Sequence, residues 1–246
     1  GLIVVYAGGD HGKGLMAYHA SDGSPAWSAP AGRSTYASPQ LATLDGQEQI
    51  LVLSDAGVVS VAPADGTIIW NYDNAVRAPR SVQPHAIDGH GVIFAGGLDL
   101  GTSLLEVAHA GGQWKVTPAW TSHALKPSFN DFVVESGSAY GLDGSIMSCI
   151  DLASGERRWK HGRYGRGQVL LLAQQHLLLV AAETGEVALV AADPSGFREL
   201  GRFQAIEGKT WTHPSVAGNR LYVRNAEEIA CYQLELEKAP LQAAAR

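Results

Sequence analysis

The sequence predicts an all-β propeller of four-stranded antiparallel blades. Three observations carry this: a repeated turn–Gly–Trp signature, a period near 44 residues, and no amphipathic helical run of ten or more residues before an Ala-rich tail. In the signature an apolar segment leads into a small polar turn, a Gly, three residues and a Trp. It occurs as Ala20-Ser21-Asp22-Gly23 to Trp27, Ala64-Asp65-Gly66 to Trp70, and Ala153-Ser154-Gly155 to Trp159. Degenerate copies run from His109-Ala110-Gly111-Gly112 to Trp120 and from Asp193-Pro194-Ser195-Gly196 to Phe203. The anchors are 43, 50, 39 and 44 residues apart, which is the spacing of propeller blades rather than of helical repeats.

Counting strands A to D outward from the axis, Leu2 to Ala7, Gly14 to His19 and Pro25 to Ser28 read as B, C and D of a first blade without A. The second repeat supplies all four: Tyr36 to Leu44, Gln49 to Ser54, Val58 to Ala62 and Thr67 to Tyr72. Asp45-Gly46, Asp55-Ala56-Gly57 and Asp65-Gly66 join them, and these residues tolerate the positive φ that tight hairpins need. At the other end His213 to Val216, Arg220 to Arg224 and Glu228 to Leu234 read as A, B and C. Both ends hold a B and a C, so they do not merge into one ordinary blade. The expectation is one propeller domain over 1–235, N-terminally incomplete, with a tail at 236–246 and six blades wholly or partly present. Trp27, Trp70, Trp120, Trp159 and Phe203 are expected to fill the wedges between neighbouring sheets, where one large flat side chain per blade fits.

Composition narrows the function classes. With 46% hydrophobic and 17% charged residues the chain is not a disordered one, and 246 residues suffice for a sizeable core. A net charge of -6 gives no general attraction to nucleic acid or to an anionic membrane surface. Apolar runs such as Val169 to Ala173 and Leu177 to Ala182 fall far short of a membrane span. The opening Gly1-Leu2-Ile3-Val4-Val5-Tyr6 has neither an initiator Met nor a signal-peptide pattern, so a truncated N-terminus is expected. Cys149 and Cys231 are too few for a disulfide framework and occupy corresponding places two blades apart, beyond bonding reach; both are expected to be small buried residues.

Most motifs dissolve on inspection. Gly208-Lys209-Thr210 imitates a phosphate-binding loop, but Phe203 stands where its first Gly is required, and a strand follows instead of a helix. Gly8 to Gly14 is a Gly-rich hairpin loop. Nine histidines show no metal-ligand spacing, and neither a calcium loop nor a Gly-x-Ser-x-Gly elbow is present, so no metal site is expected.

One pattern survives. Arg33, Lys126 and Lys209 each follow an anchor by 6 residues, Arg166 by 7, and Arg77 and Arg80 by 7 and 10. In a propeller this segment returns across one face to the innermost strand, so these side chains are expected around one mouth of the channel. Tyr36, Phe129, Asn130, Asp131, Tyr164, Gln168, Trp211 and His213 travel with them. Converging positive charge beside aromatic faces suits a planar or carboxylated anion, or an acidic segment of a protein partner.

The stretch Cys149-Ile150-Asp151-Leu152-Ala153-Ser154-Gly155-Glu156-Arg157-Arg158-Trp159, the other turn–Gly–Trp copies, and the segments Lys126 to Val133 and Gly208 to Pro214 resemble PQQ-like, quinoprotein-type β-propeller repeats over nearly the whole chain. The resemblance implies an eight-bladed ring and a periplasmic or extracellular location. It leaves three functions open: binding of an anionic ligand or protein partner without catalysis, a PQQ-dependent alcohol dehydrogenase, or a scaffold for envelope protein assembly. The dehydrogenase would hold PQQ with calcium and use a carboxylate base, for which Asn130, Asp131 and Glu135 are the clustered candidates. Such enzymes stack the quinone on two adjacent cysteines, and this chain has no adjacent pair.

Overall fold

A computed structural model describes residues 1–9, 12–74, 80–97 and 100–234; Arg77, Glu235 and the tail at 236–246 lie outside these. The strands make six antiparallel sheets in chain order. The first holds β1 (Leu2–Tyr6), β2 (Leu15–His19) and β3 (Pro25–Ala29), and the second β4 (Gln40–Leu44), β5 (Gln47–Ser54), β6 (Gly57–Val61) and β7 (Ile68–Asp73). The third holds β8 (His85–Ile87), β9 (Gly91–Gly97), β10 (Gly101–Ala110) and β11 (Gln113–Ser122). The fourth holds β12 (Phe132–Glu135), β13 (Ser138–Asp143), β14 (Ile146–Asp151) and β15 (Arg157–Arg163). The fifth holds β16 (Gln168–Leu172), β17 (Leu177–Ala181), β18 (Glu186–Ala191) and β19 (Glu199–Gln204), and the sixth β20 (Ser215–Ala217), β21 (Arg220–Arg224) and β22 (Ile229–Gln233). The first and last sheets have three strands each, with the B-C-D and A-B-C registers read from the sequence.

Most strand starts fall within a residue or two of the sequence reading, and two of the shifts, at β4 and β20, follow from proline. β4 begins at Gln40 rather than Tyr36, since Pro39 has no N–H for the ladder and the Tyr36 amide is spent on the Arg80 carbonyl at 2.6 Å. β20 begins after Pro214 for the same reason, which leaves His213 in the loop.

The core is divided into five apolar clusters, each filling the space between consecutive sheets. Leu15 and Ala29 meet Ile50, Val52 and Val61 between the first and second. Leu51, Leu53 and Trp70 meet Phe94, Leu105 and Val107 between the second and third. Ile93 meets Phe132, Ala139 and Ile150, then Tyr140 and Met147 meet Leu178 and Val190, and Leu179 and Val187 meet Leu221 and Val223. Strands buried on both faces read as continuous apolar runs, as Ile50 to Leu53 in β5 and Leu177 to Ala181 in β17 do. Each buried Leu, Ile or Val contributes about 1.5 to 3 kcal/mol.

The repeat signature is a contact between blades. Trp27 Nε1 donates to the Pro63 carbonyl at 3.0 Å, Trp120 Nε1 to Leu152 at 2.9 Å, and Trp159 Nε1 to Asp193 at 2.8 Å. In each case the acceptor lies at the start of the next blade's outer turn. In two of these turns the glycine lies under the indole: a Cβ on Gly66 would be 2.5 Å from Trp27, and one on Gly155 would be 2.7 Å from Trp120, whereas Gly196 has nothing within 4 Å. Gly66 and Gly155 also have positive φ, +74° and +71°, and Asp65 and Asp151 close their turns by accepting amides of Thr67 and Ser154. Trp70 is buried between the second and third sheets but bonds within its own, donating to Gln49 Oε1 at 2.7 Å. Trp120 lies further from its turn than the other anchors because β10 and β11 are ten residues long with a bulge at Leu104/Leu105. Phe203 is largely exposed and meets Tyr232 edge-on at 5.0 Å.

Cys149 on β14 is buried and Cys231 on β22 is exposed. The positions correspond, as the repeat required, but β22 is the last strand of a three-stranded sheet and nothing among the described residues covers that face. The expectation that both are buried is therefore corrected for Cys231.

Candidate functional site: the channel mouth

Each return loop leaves an outer strand and crosses one end of the molecule to the next inner strand, sharing that end with the turn between strands B and C. The loops entering the second to sixth sheets surround a concavity of about 410 Å³. Tyr36 and Ser38 line it from the first loop, Ser81 and Gln83 from the second, Phe129 and Asp131 from the third, Gln168 from the start of β16 where the fourth ends, and Trp211, Thr212 and His213 from the fifth. Arg224 at the end of β21 completes the wall.

The lining is cross-linked. Gln168 is buried, donates from Nε2 to the Trp211 carbonyl at 3.0 Å, and accepts the Asp131 amide at 3.3 Å, so three loops are tied to one amide side chain. Asp131 Oδ1 takes the Phe132 amide at 2.8 Å and lies 3.0 Å from His85 Nε2. Trp211 packs against Phe129 at 5.0 Å, its Nε1 donates to Glu183 Oε1 at 2.9 Å, and Lys209 Nζ sits 3.5 Å from its ring centroid. The Arg166 amide and the Trp211 indole hold the Glu183 carboxyl below its ordinary range. Tyr36 is 77% exposed, an unusual state for a tyrosine held by its own backbone bond.

Of the residues read from the sequence, Tyr36, Phe129, Asp131, Gln168, Trp211 and His213 come together here. The basic residues do not. Arg80 is 3% exposed, donates to the Asn74 carbonyl and side chain, and lies 5.8 Å over Phe94, so it supports the loop from beneath. The Arg33 amide is bound by Asp55, and Lys209 covers the Trp211 ring; neither lines the concavity. Lys126, Asn130 and Arg166 face a separate small cleft on the other side of the third loop. Tyr164 is buried between the fourth and fifth sheets, with its hydroxyl on Glu199 at 2.5 Å and Arg202 5.1 Å over its ring, because its extended neighbours alternate sides. Glu135 closes β12 at the opposite end from Asp131 and lies 2.6 Å from His176 Nδ1, so the carboxylate cluster proposed for a calcium-held quinone does not assemble. Among the described residues no group of three or more His, Cys, Asp or Glu side chains is placed to hold a metal. With one thiol buried and the other exposed two sheets away, this donor set does not fit PQQ with calcium.

Ser38, Ser81, Gln83, Thr212 and Arg224 were not singled out from the sequence. A signal for some of them was there: Tyr36, Phe129, Gln168 and Thr212 all stand 9 residues beyond their anchors, and Ser38, Ser81 and Asp131 stand 11 beyond. An offset of two returns to the same side of an extended segment, so these two positions share a face.

Sheet order, blade contacts and the mouth define a β-propeller of PQQ-like repeats. The chain belongs to the family described as outer membrane protein assembly factor BamB, whose family model matches residues 1–161. It is similar in fold to the crystal structure of BamB from Moraxella catarrhalis, with 16% identity and a TM-score of 0.51 over 89% of this chain and 78% of that one. The computationally designed Ika8 protein is 9% identical with a TM-score of 0.65, covering 94% of this chain and 68% of its own. The WD40 repeats of RRP9 are 12% identical with a TM-score of 0.61, covering 85% and 66%. Among curated proteins none matches the chain in sequence. None of the described helices is long and apolar enough to cross a membrane.

Proposed function

We propose that the chain is a non-catalytic interaction scaffold of the bacterial envelope, periplasmic in location, whose channel mouth holds a segment of a protein partner in outer-membrane protein assembly. Family membership supplies the setting. The observation that carries the site is the mouth itself: five loops present exposed Tyr36 and Trp211, with Phe129 behind them, around a polar floor. Exposed aromatic anchors over a cross-linked base are what a peptide hot spot needs, since they bury large area at low entropic cost. Among the lining side chains Asp131 and Arg224 carry opposite formal charge, which suits mixed peptide chemistry better than a polycarboxylate.

The test measures affinity of the purified chain for purified barrel-assembly proteins of the same organism, with wild type and with Tyr36→Ala plus Trp211→Ala. Removing both anchors should weaken binding at least about tenfold without lowering the thermal midpoint by more than a few degrees. A partner seated on the exposed β22 face instead would respond to Ile229→Ala and not to the mouth variants, which would overturn the assignment. Saturable spectral changes on adding PQQ and calcium, lost in the mouth variants, would favour the quinoprotein reading.

A further inference from the structure

The residues that left the mouth are not scattered. Along the third return loop Phe129 and Asp131 face the channel, while Lys126, Ser128 and Asn130 face the other way. Together with Gly144 and Ser145, from the turn between β13 and β14, and Arg166 from the next loop, they line an enclosed cleft of about 90 Å³. Its floor is rigid. Asn130 is 2% exposed, with Nδ2 on the Gly167 carbonyl at 2.8 Å and Oδ1 accepting the Ser128 amide at 3.4 Å.

The cleft carries positive charge that nearby carboxylates offset only in part. Asp143 is buried at its back and faces three cations: Lys160 at 2.6 Å, Arg157 at 3.2 Å and Lys126 at 3.8 Å. One carboxylate against three cations leaves two charges over, and Lys126, the most distant, is a third exposed. The Arg166 guanidinium adds another. It makes no side-chain hydrogen bond or close ion pair with any described residue: Glu183, which bonds the Arg166 amide and the Trp211 indole, acts on the guanidinium only through its charge. In the sequence reading Lys126 and Arg166 belong to a ring around the mouth; the structure gathers them into a second site with two hydroxyls beside them.

We propose that this cleft binds one oxyanion, the phosphate or carboxylate group of a small molecule. Lys126 and the Arg166 fork supply charge, and Ser128 and Ser145 supply hydroxyl donors. A guanidinium whose N–H groups are not bonded to any described residue, beside an ammonium and hydroxyls in a confined space, is the donor set such a group takes. The site is independent of the partner-binding mouth, since it uses neither Tyr36 nor Trp211.

The experiment is an amide NMR titration of the whole chain with inorganic phosphate and, separately, with acetate, at low and at physiological salt. Saturable shifts are expected at Gly144 and Ser145, weakening as salt rises. Arg166→Ala should weaken affinity at least about tenfold, Arg166→Lys should recover part of it, and Lys209→Ala should leave it within about twofold. Arg166 is the residue to change because its guanidinium makes no hydrogen bond with a described residue, whereas Lys126→Ala also disturbs the ion pair with Asp143. Saturation by phosphate alone, by acetate alone, or by both supports the site and names the group. Shifts that do not saturate, or that ignore both Arg166→Ala and salt, overturn it.

Discussion

Alanine at Gly155 tests whether the repeat signature is a lock between blades. Gly155 adopts φ of +71°, and a Cβ built there lies 2.7 Å from Cε3 and 2.8 Å from Cδ2 of Trp120. Carbon pairs settle near 3.5 to 4.0 Å, so the indole has to retreat by about 0.8 Å. It cannot do so freely, because Nε1 is bonded to the Leu152 carbonyl at 2.9 Å and Ser122, on the same strand, is bonded to the Gly155 carbonyl at 2.5 Å. Two costs therefore add: about 1 to 2 kcal/mol for alanine in the left-handed region, and about 1 to 3 kcal/mol for overpacking.

Gly23 separates them. It has nearly the same φ, +73°, in the equivalent turn of the first blade, but nothing lies within 4 Å of its added Cβ. Gly23→Ala should cost only the backbone part, so denaturant titrations should show Gly155→Ala to be worse by about 1 to 3 kcal/mol. In a Trp120→Ala background the excess should vanish, as the clash has lost its partner. Equal costs for the two single variants, or an excess that persists without the indole, would refute the lock.

Trp159→Ala removes the Asp193 bond and the edge contact with Phe197 at 5.6 Å, and should destabilise by about 3 to 5 kcal/mol in the same titration. Thiol labelling should distinguish the cysteines: Cys231 reacts in the native protein, while Cys149, buried and with its thiol pushed up to about 11 by desolvation, reacts only on unfolding. Thermal midpoints should be flat from neutral pH down to about 5.5 and decline below about 4.5. The carboxyls of Glu183 and Glu199 are held below their ordinary 4.5, and those of Asp151 and Asp193 below 3.8, chiefly by hydrogen bonds. Their stabilisation is present above those ordinary values and is lost as pH falls through the folded ones; a midpoint unchanged to pH 3 would contradict this.

The fold was legible because one spatial contact is written several times. Trp27 and Trp120 each pack on a turn glycine of the next blade, and Trp and Gly carry fixed sequence neighbours throughout, so the period shows even at Trp120, where two ten-residue strands shift the count. The mouth was half legible. Counting from the anchors located the right loops, but an extended loop alternates sides: offsets of 9 and 11 reach the channel, while Lys126, Asn130 and Arg166 reach the cleft behind it. The fate of Arg80 was not legible at all, since its burial depends on Asn74 and Phe94, whose approach no spacing announces.

The charges missed their expected place for a reason that runs through the architecture. A return loop leaves the ladder of its outer strand, and its amides need acceptors that no strand supplies. In this chain the turn between strands B and C supplies several of them: Asp55 takes the amides of Arg33 and Ser34 at 2.8 and 3.0 Å, Glu183 that of Arg166 at 3.0 Å, and Glu228 that of Glu207 at 2.7 Å. An acid that braces the loop also stands near the loop's basic residue, so positive charge repeated in phase is offset by negative charge in a different phase, invisible to an offset counted from the anchors. The fourth blade breaks the rule. Its acid, Asp143, is turned inward onto three side-chain cations and braces no amide of the described residues. Charge that elsewhere is balanced at the loop is here left in excess, and the anion cleft lies at this departure from the repeat.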